Sequence, residues 1–266
     1  MKISVVTISF NQAQFIEQAI LSVLSQDYQD VEYIIVDAGS TDGSRDIIRK
    51  YQDKLACMIF ESDEGPADGL NKGFSKATGD IFFYINADDL LLPNALKIAA
   101  NHFKSMEYLD VIYGNGLAVD KQGRVVKRIF CSKWNLRAYA FGSVSVVQQS
   151  TFIRSIAYKK TRGFNIYNKT CWDYELLADL ALNDCLINSV SEFFGAFRIY
   201  DESITGSGRF KNQINKELER IRRHILGRDS SWVDNFIFIY FRLVKNIMEP
   251  VVVSKKIYDY IISLRL

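Results

Sequence analysis

The residues richest in chemical possibility are Asn86-Ala87-Asp88-Asp89, directly after the apolar run Ile81-Phe82-Phe83-Tyr84-Ile85. The run reads as a buried strand. Two adjacent carboxylates at its C-terminal end would stand at the rim of a sheet, where open α/β folds bind ligands. Hard divalent cations prefer oxygen ligands, and Mg²⁺ commonly takes one or two carboxylates together with substrate phosphates. The pair points to metal-assisted chemistry on a diphosphate. The plain alternative is helix capping, with Asp88 or Asp89 at the start of the helix entered near Pro93.

Other acidic residues follow other apolar runs. Asp37 closes Glu32–Val36, and Asp63 and Glu64 come after Cys57–Phe60. In a parallel sheet these ends share one edge with Asp88 and Asp89. Like charges crowded there repel unless a cation or hydrogen-bond donors compensate, which favours the metal over capping alone. Asp37 could instead be an Asx-turn residue before Gly39, and Asp42-Gly43 reads as the turn that the loop requires.

The elements that must position these groups follow from periodicity. Residues 3–10 read as a strand, and Phe15, Ile16, Ala19, Ile20, Val23 and Leu24 recur at helical spacing. Strands at 32–36, 57–60 and 81–85 alternate with helices around Ile47, Ile48 and Tyr51 and over 66–77. This alternation predicts βαβ units and a mostly parallel sheet. Short strands at 111–113, 117–119 and 125–126, with a turn at 120–123, predict a small antiparallel extension. A helix over 174–182, a strand over 193–200 and a helical, basic segment after Gly208 complete the outline.

Composition sets the bounds. The 266 residues are 48% hydrophobic and 24% charged, which suits a globular chain with a sizeable core. Residues 209–266 carry twelve Lys/Arg against six Asp/Glu, whereas the body is mildly acidic. The tail is therefore expected to face an anionic partner, and no nucleic-acid-binding motif accompanies its charge. Cys57, Cys131, Cys171 and Cys185 form neither a CxxC pair nor a zinc spacing, and are expected as free thiols in a reducing cytoplasm. The N-terminus lacks the pattern of a signal peptide, and no stretch is apolar for long enough to span a membrane.

Several runs in order carry a resemblance: Val5-Val6-Thr7-Ile8-Ser9-Phe10-Asn11-Gln12, Ser22–Gln26, Ile35–Ser44, Glu61–Gly65, Asn71-Lys72-Gly73-Phe74, Ala77–Asp80 and Asn86–Asp89. The chain is similar to an inverting family 2 glycosyltransferase of bacterial type. The likeness is dense over residues 3–120 and persists through Gln149–Phe152, Asp173-Tyr174-Glu175 and Arg198. The resemblance implies a GT-A fold: a nucleotide-binding α/β sheet over 1–120 and an acceptor half over 121–208. A basic amphipathic helical tail, 209–266, lies outside it.

The resemblance also implies roles. Thr7, Ser9, Phe10, Asp37, Asp68, Lys72, Asn86 and Asp88 would bind the nucleotide sugar. Asp88 would face the ribose or metal, Asp89 would ligate Mn²⁺ or Mg²⁺ on the diphosphate, and Asp173 would be the catalytic base. The implied reaction moves a hexosyl or N-acetylhexosaminyl group, with inversion, to a hydroxyl of a glycan or lipid-linked acceptor, in cell-surface polysaccharide synthesis. Alternatives stay open at single residues. Asp68, Asn71 and Lys72 could only cap and solvate their helix, Asp173 could cap the helix after it, and Trp172 could line the acceptor pocket or simply pack. His102 and His224 read as surface helix residues. In Arg198-Ile199-Tyr200 the chain lacks a His that relatives often carry after the Arg, so Tyr200 must substitute for it or its role is lost. A nucleotide-sugar-binding protein without catalysis is the main rival. A sugar nucleotidyltransferase should show a Gly-rich basic loop after the first strand, where this chain has Ser9–Gln14.

In the tail, Val233, Phe236, Ile237, Tyr240, Leu243, Val244 and Ile247 share one helical face, and Lys255-Lys256 opens a second amphipathic piece. Residues 233–266 are expected to dock peripherally on the inner, cytoplasmic leaflet. Packing on the catalytic domain or on a second copy in a homo-oligomer stays open.

Overall fold

The computed structural model describes residues 1–203, 207–250, 252–255 and 259. The expected alternation is present at the start: β1 (Ile3–Ser9), α1 (Ile16–Leu24), β2 (Val31–Asp37), α2 (Ser44–Arg49), β3 (Cys57–Ile59), α3 (Pro66–Lys76) and β4 (Ile81–Asn86). These four strands lie parallel in the order β3-β2-β1-β4. Their side chains alternate between two cores. Val5, Ile35 and Phe83 face α1, α2 and α4 (Ala95–Ser105), while Val6, Ile34 and Phe82 face α3 and the later helices. Burial on both faces explains why the strands read as continuous apolar runs. Each fully buried Ile or Phe contributes about 1.5–3 kcal/mol, so the four strands form a rigid base for their C-terminal edge. Gly73 is what lets α3 lie close on β1: a Cβ there would collide with Val6.

The second half departs further from expectation. Residues 111–119 form one strand, β6 (Val111–Val119), not two. Gly114 and Gly116 interrupt the apolar pattern because Phe194 and Val147 fill the space where their side chains would be. β7 (Val125–Ile129) pairs antiparallel with β6, as the turn at 120–123 predicts. β5 (Leu90–Leu91), α5 (Leu136–Ala140), β8 (Thr151–Arg154) and α6 (Ser155–Tyr158) are additions too short to show a period. β8 matters most, because it joins the halves by pairing antiparallel with both β4 and β6. β9 (Ile187–Arg198) begins six residues before the expected start and runs parallel to β6. α7 (Trp172–Leu182) starts two residues early, which puts Asp173 inside its first turn with Cys171 as the cap.

Two helices close the described chain, α8 (Lys211–Leu226) and α9 (Asp234–Met248). α8 buries Ile221 completely in the core beneath α7. α9 docks through Phe241 on Phe141, through Lys245 to the Ser143 carbonyl (2.9 Å), and through Glu249 to the Lys133 amide (2.8 Å). The face expected to act as a unit is thus divided: Ile237 and Val244 turn inward, while Phe236, Tyr240, Leu243 and Ile247 are exposed. Apart from Lys255 and Asp259, the expected second amphipathic piece lies outside the described residues. Among the described residues no helix is long and apolar enough to cross a membrane.

Candidate active site

The parallel register brings Ser9, Asp37 and Asn86 to one edge of the sheet. Above that edge lies a cavity of about 720 Å³, a size common for small-molecule sites. Its lining includes Asp63, Asp88, Asp89, Asp173 and Glu202 against Arg198. Burial raises the carboxyls of Asp63, Asp88, Asp89 and Asp173 above their ordinary range. For Asp89 the charge of Asp88 adds to burial; for Asp88 a hydrogen bond from Tyr200 opposes it.

The two adjacent aspartates differ in surroundings. Asp89 is 3% exposed and accepts from Gln149 Nε2 (2.6 Å), Asn86 Nδ2 (3.0 Å) and the Arg198 amide (3.1 Å). Asp88 is half-buried and accepts one side-chain hydrogen bond, from the Tyr200 hydroxyl (2.8 Å). A carboxylate has about four acceptor positions, so Asp88 keeps more of its capacity for a ligand. Gln149 reaches Asp89 because its backbone packs where a side chain at Gly195 would otherwise stand. Arg198, 2% exposed, is a tie across the structure. Its guanidinium donates to the Asp88 carbonyl (2.9 Å), the Lys121 carbonyl (2.9 Å) and Gln18 Oε1 (3.0 Å), and it stacks over Phe15.

Among the described residues no group of three His, Cys, Asp or Glu side chains could hold a metal ion. An ion completed by substrate phosphates needs fewer protein ligands, and Asp88 on an acidic wall fits that arrangement. Ser9 Oγ, Asn86 Oδ1 and Trp172 Nε1 are buried on cavity-lining residues without a hydrogen-bond partner among the described residues, and a polar ligand would satisfy them.

Not every expected residue joins the cavity. Ser9, Phe10, Asn86, Asp88, Asp89 and Asp173 line it. Thr7 is buried beneath, sharing a hydrogen bond with Tyr33. Asp37 turns into its own loop, where it accepts from Ser40 Oγ (2.6 Å) and Arg45 Nε (2.7 Å). Burial raises its carboxyl, but these donors outweigh it and hold the group below the ordinary value. Asp68 and Lys72 pair with each other at 3.0 Å and brace the loop after β3, through the Glu64 amide and the Ser62 carbonyl. Asp42 stitches the loops after β1 and β2 by accepting from the Ala13 amide (2.8 Å). Trp172 both packs and lines the cavity. His102 and His224 sit on helices beside Glu192 and Asp179. Gln148 and Gln149, absent from the expected set, reach this edge from across the sheet. The run from Gln149 to Phe152 carried part of the resemblance and Gln148 stands just before it, but no local pattern marks their partners.

The comparisons with known proteins agree with this architecture. A model of glycosyl transferase family 2 matches residues 4–165. An uncharacterized glycosyltransferase of Nostoc sp. is 38% identical over 130 residues, 46% of this chain and 40% of that protein. The GalNAc(5)-diNAcBac-PP-undecaprenol beta-1,3-glucosyltransferase of Campylobacter jejuni is 30% identical over 130 residues, 47% of this chain and 41% of that one. The chain spans about half the length of the curated relatives it matches. Among solved structures, S. aureus TarS 1-349 in complex with UDP-GlcNAc superposes with a TM-score of 0.71 at 20% identity, over 93% of this chain and 73% of that one. A mannosyltransferase from Pyrobaculum calidifontis in complex with GDP-Man and Mn2+ gives 0.65 at 15%, over 99% and 75%. These likenesses show the GT-A type of fold. With the family match covering more than half of its residues, the chain belongs to glycosyl transferase family 2.

Proposed function

We propose that this protein moves a sugar, with inversion, from a nucleoside diphosphate donor to a hydroxyl of a lipid-linked glycan acceptor, in the synthesis of a cell-surface polysaccharide. The observation that carries the reading is the single cavity lined by Asp88 and Asp89 on the sheet edge and by Asp173 on α7. A diphosphate entering among five lining carboxyls needs positive charge beside it, and a Mn²⁺ or Mg²⁺ ion would supply that charge as the leaving group departs. Asp88 is the residue that would hold the ion. Asp89 orients the turn beneath it through Gln149, Asn86 and the Arg198 amide. Ser9, Phe10 and Asn86 bind the donor. Asp173 takes the proton of the attacking hydroxyl, worth about 10²–10⁴-fold in rate, and burial raises its carboxyl above the ordinary aspartate value, which makes it a stronger base. One base and one displacement give inversion. The acceptor class rests on the Campylobacter relative, whose name specifies an undecaprenol-linked glycan.

The same reading places α9 on the membrane. Trp232, Phe236, Tyr240, Leu243 and Ile247 form an exposed apolar stripe on a basic tail, the pattern of an interfacial helix. Phe236→Glu with Leu243→Glu should abolish flotation with anionic vesicles; a dimer that these changes dissociate would instead assign the stripe to a second copy.

A thermal-shift panel of UDP-, GDP- and dTDP-sugars, with and without Mn²⁺, tests the donor site, because a ligand that binds the native state raises stability. One donor class should raise the Tm, more so with the metal. No shift with any of them would contradict the proposed function.

A further inference from the structure

We propose that α8 is the positioning element of the catalytic base: Glu217 and Arg220 hold the loop 165–171 and the first turn of α7, and so set the place of the Asp173 carboxylate. The inference rests on Asp173 being that base. It concerns residues outside the 4–165 span of the family match.

Asp173 is the second residue of α7, and the helix starts without a side-chain cap of its own. The free amides at a helix N-terminus need acceptors. Just ahead of them, the Cys171 amide donates to Asn168 of the same loop (2.8 Å), and the loop amides find a further acceptor on another helix. Glu217, 8% exposed, accepts from the amides of Lys169 (2.9 Å), Thr170 (3.0 Å) and Cys171 (3.2 Å), and from the Thr170 hydroxyl. A carboxylate at this end also complements the helix dipole. A second clasp lies one turn along. Arg220 meets Glu175 with both terminal nitrogens, at 2.6 and 2.5 Å. Glu175, 4% exposed, in turn accepts from Asn165 (2.9 Å) and Asn168 (2.7 Å). Burial raises the Glu175 carboxyl, and Arg220 with the two asparagines more than reverses that, so the pair is ionic.

The clasped loop is part of the cavity wall. Thr170, Trp172 and Asp173 line it in succession. The ammonium of Lys169 meets the Glu64 carbonyl on the donor side. α8 is itself fixed, with Ile221 wholly buried and Arg222 donating to the Ala140 carbonyl (3.2 Å). Residues 211–226 therefore belong with the acceptor half. Helical placement alone would need only Ile221 and its neighbours. The amide contacts are directed at the residues just before the base.

The test uses the full chain with two conservative variants, Glu217→Gln and Arg220→Lys. Glu217→Gln puts an NH2 group among amide donors, and Arg220→Lys removes the two-pronged contact but keeps the charge. Because a displacement of about 1 Å can cost about 10²-fold, each should lower kcat about tenfold or more. Donor KM and the Tm shift caused by the nucleoside diphosphate should stay within about twofold, and the acid limb of the kcat–pH profile should move. The inference is overturned by wild-type kcat and pH profile in both variants. It is equally overturned by a fall in kcat matched in donor binding, or by loss of folded protein in both, which would leave α8 a stabilising element only. Asp173→Asn separates the layers. If it stays fully active, the base assignment falls; if it is inactive while both α8 variants run at full rate, only the clamp falls.

Discussion

The two walls of the cavity hold their carboxylates by opposite means. On the wall proposed to hold the donor, Asp88 and Asp89 sit at the end of a strand buried on both faces, and Asp89 is fixed by donors from three places in the chain: Asn86, Gln149 and Arg198. On the wall proposed to face the acceptor, Asp173 rides on the first turn of a helix whose approach loop has no regular structure and is clasped by α8. The donor wall is stiff because the sheet is stiff. The other wall, on the proposal above, keeps its shape through a helix distant in sequence. That difference teaches where sensitivity should lie. Changes beneath the donor wall should act through ligand binding, and changes behind the acceptor wall through turnover.

The largest effect on the donor side is expected at Asp88. Asp88→Asn should lower transfer about 10²–10³-fold, the scale of removing one group that stabilises developing charge, and should remove the Mn²⁺-dependent part of the donor Tm shift. Asp89→Asn, at a cavity-lining carboxyl already engaged by three donors, should cost about 10–100-fold. Steady-state rates across a Mn²⁺ titration compare the two. Equal losses would erase the distinction between a ligand-facing and a supporting aspartate.

The acceptor wall should show itself in pH. As the proposed base, Asp173 must be ionised to accept a proton, and burial raises its carboxyl. As pH falls, kcat at saturating donor should therefore drop earlier than an ordinary aspartate would allow. A rate–pH profile from about pH 4 to 8 checks this.

The smallest effect is expected far below the donor wall and on stability alone. Glu32 is bonded by Lys2, Ser4 and Thr78, and although burial opposes them these partners bring its carboxyl from 4.5 down to about 2. A depressed folded value means that the stabilisation is present above the unfolded value and is lost as pH falls through the folded one. Glu32→Gln should cost about 3 kcal/mol at pH 7, a deficit that fades between about pH 4.5 and 2. Urea melts at several pH values read it, and the rate per folded molecule should not change.

The contrast between the walls also explains what was legible. β1 to β4 could be read because a strand, its loop and the next helix are local patterns, and Asn86–Asp89 announces itself within four residues. Its partners could not be read. Tyr200 meets Asp88 across 112 positions and Gln149 meets Asp89 across 60, and no periodicity encodes such pairs. Gly114 and Gly116 disguised one strand as two because their reason lies in Phe194 and Val147. In the tail, amphipathicity was visible but its direction was not. α8, the more polar helix, turns Glu217 inward, and α9, the more apolar, turns Phe236 and Leu243 out.

The division of labour between the walls is tested most directly by one variant with two readouts. In Asp173→Asn, product formation and the donor-induced Tm shift are measured on the same sample. The account predicts transfer reduced about 10²–10⁴-fold with the Tm shift retained. Transfer at the wild-type rate, or a Tm shift lost together with transfer, would contradict it.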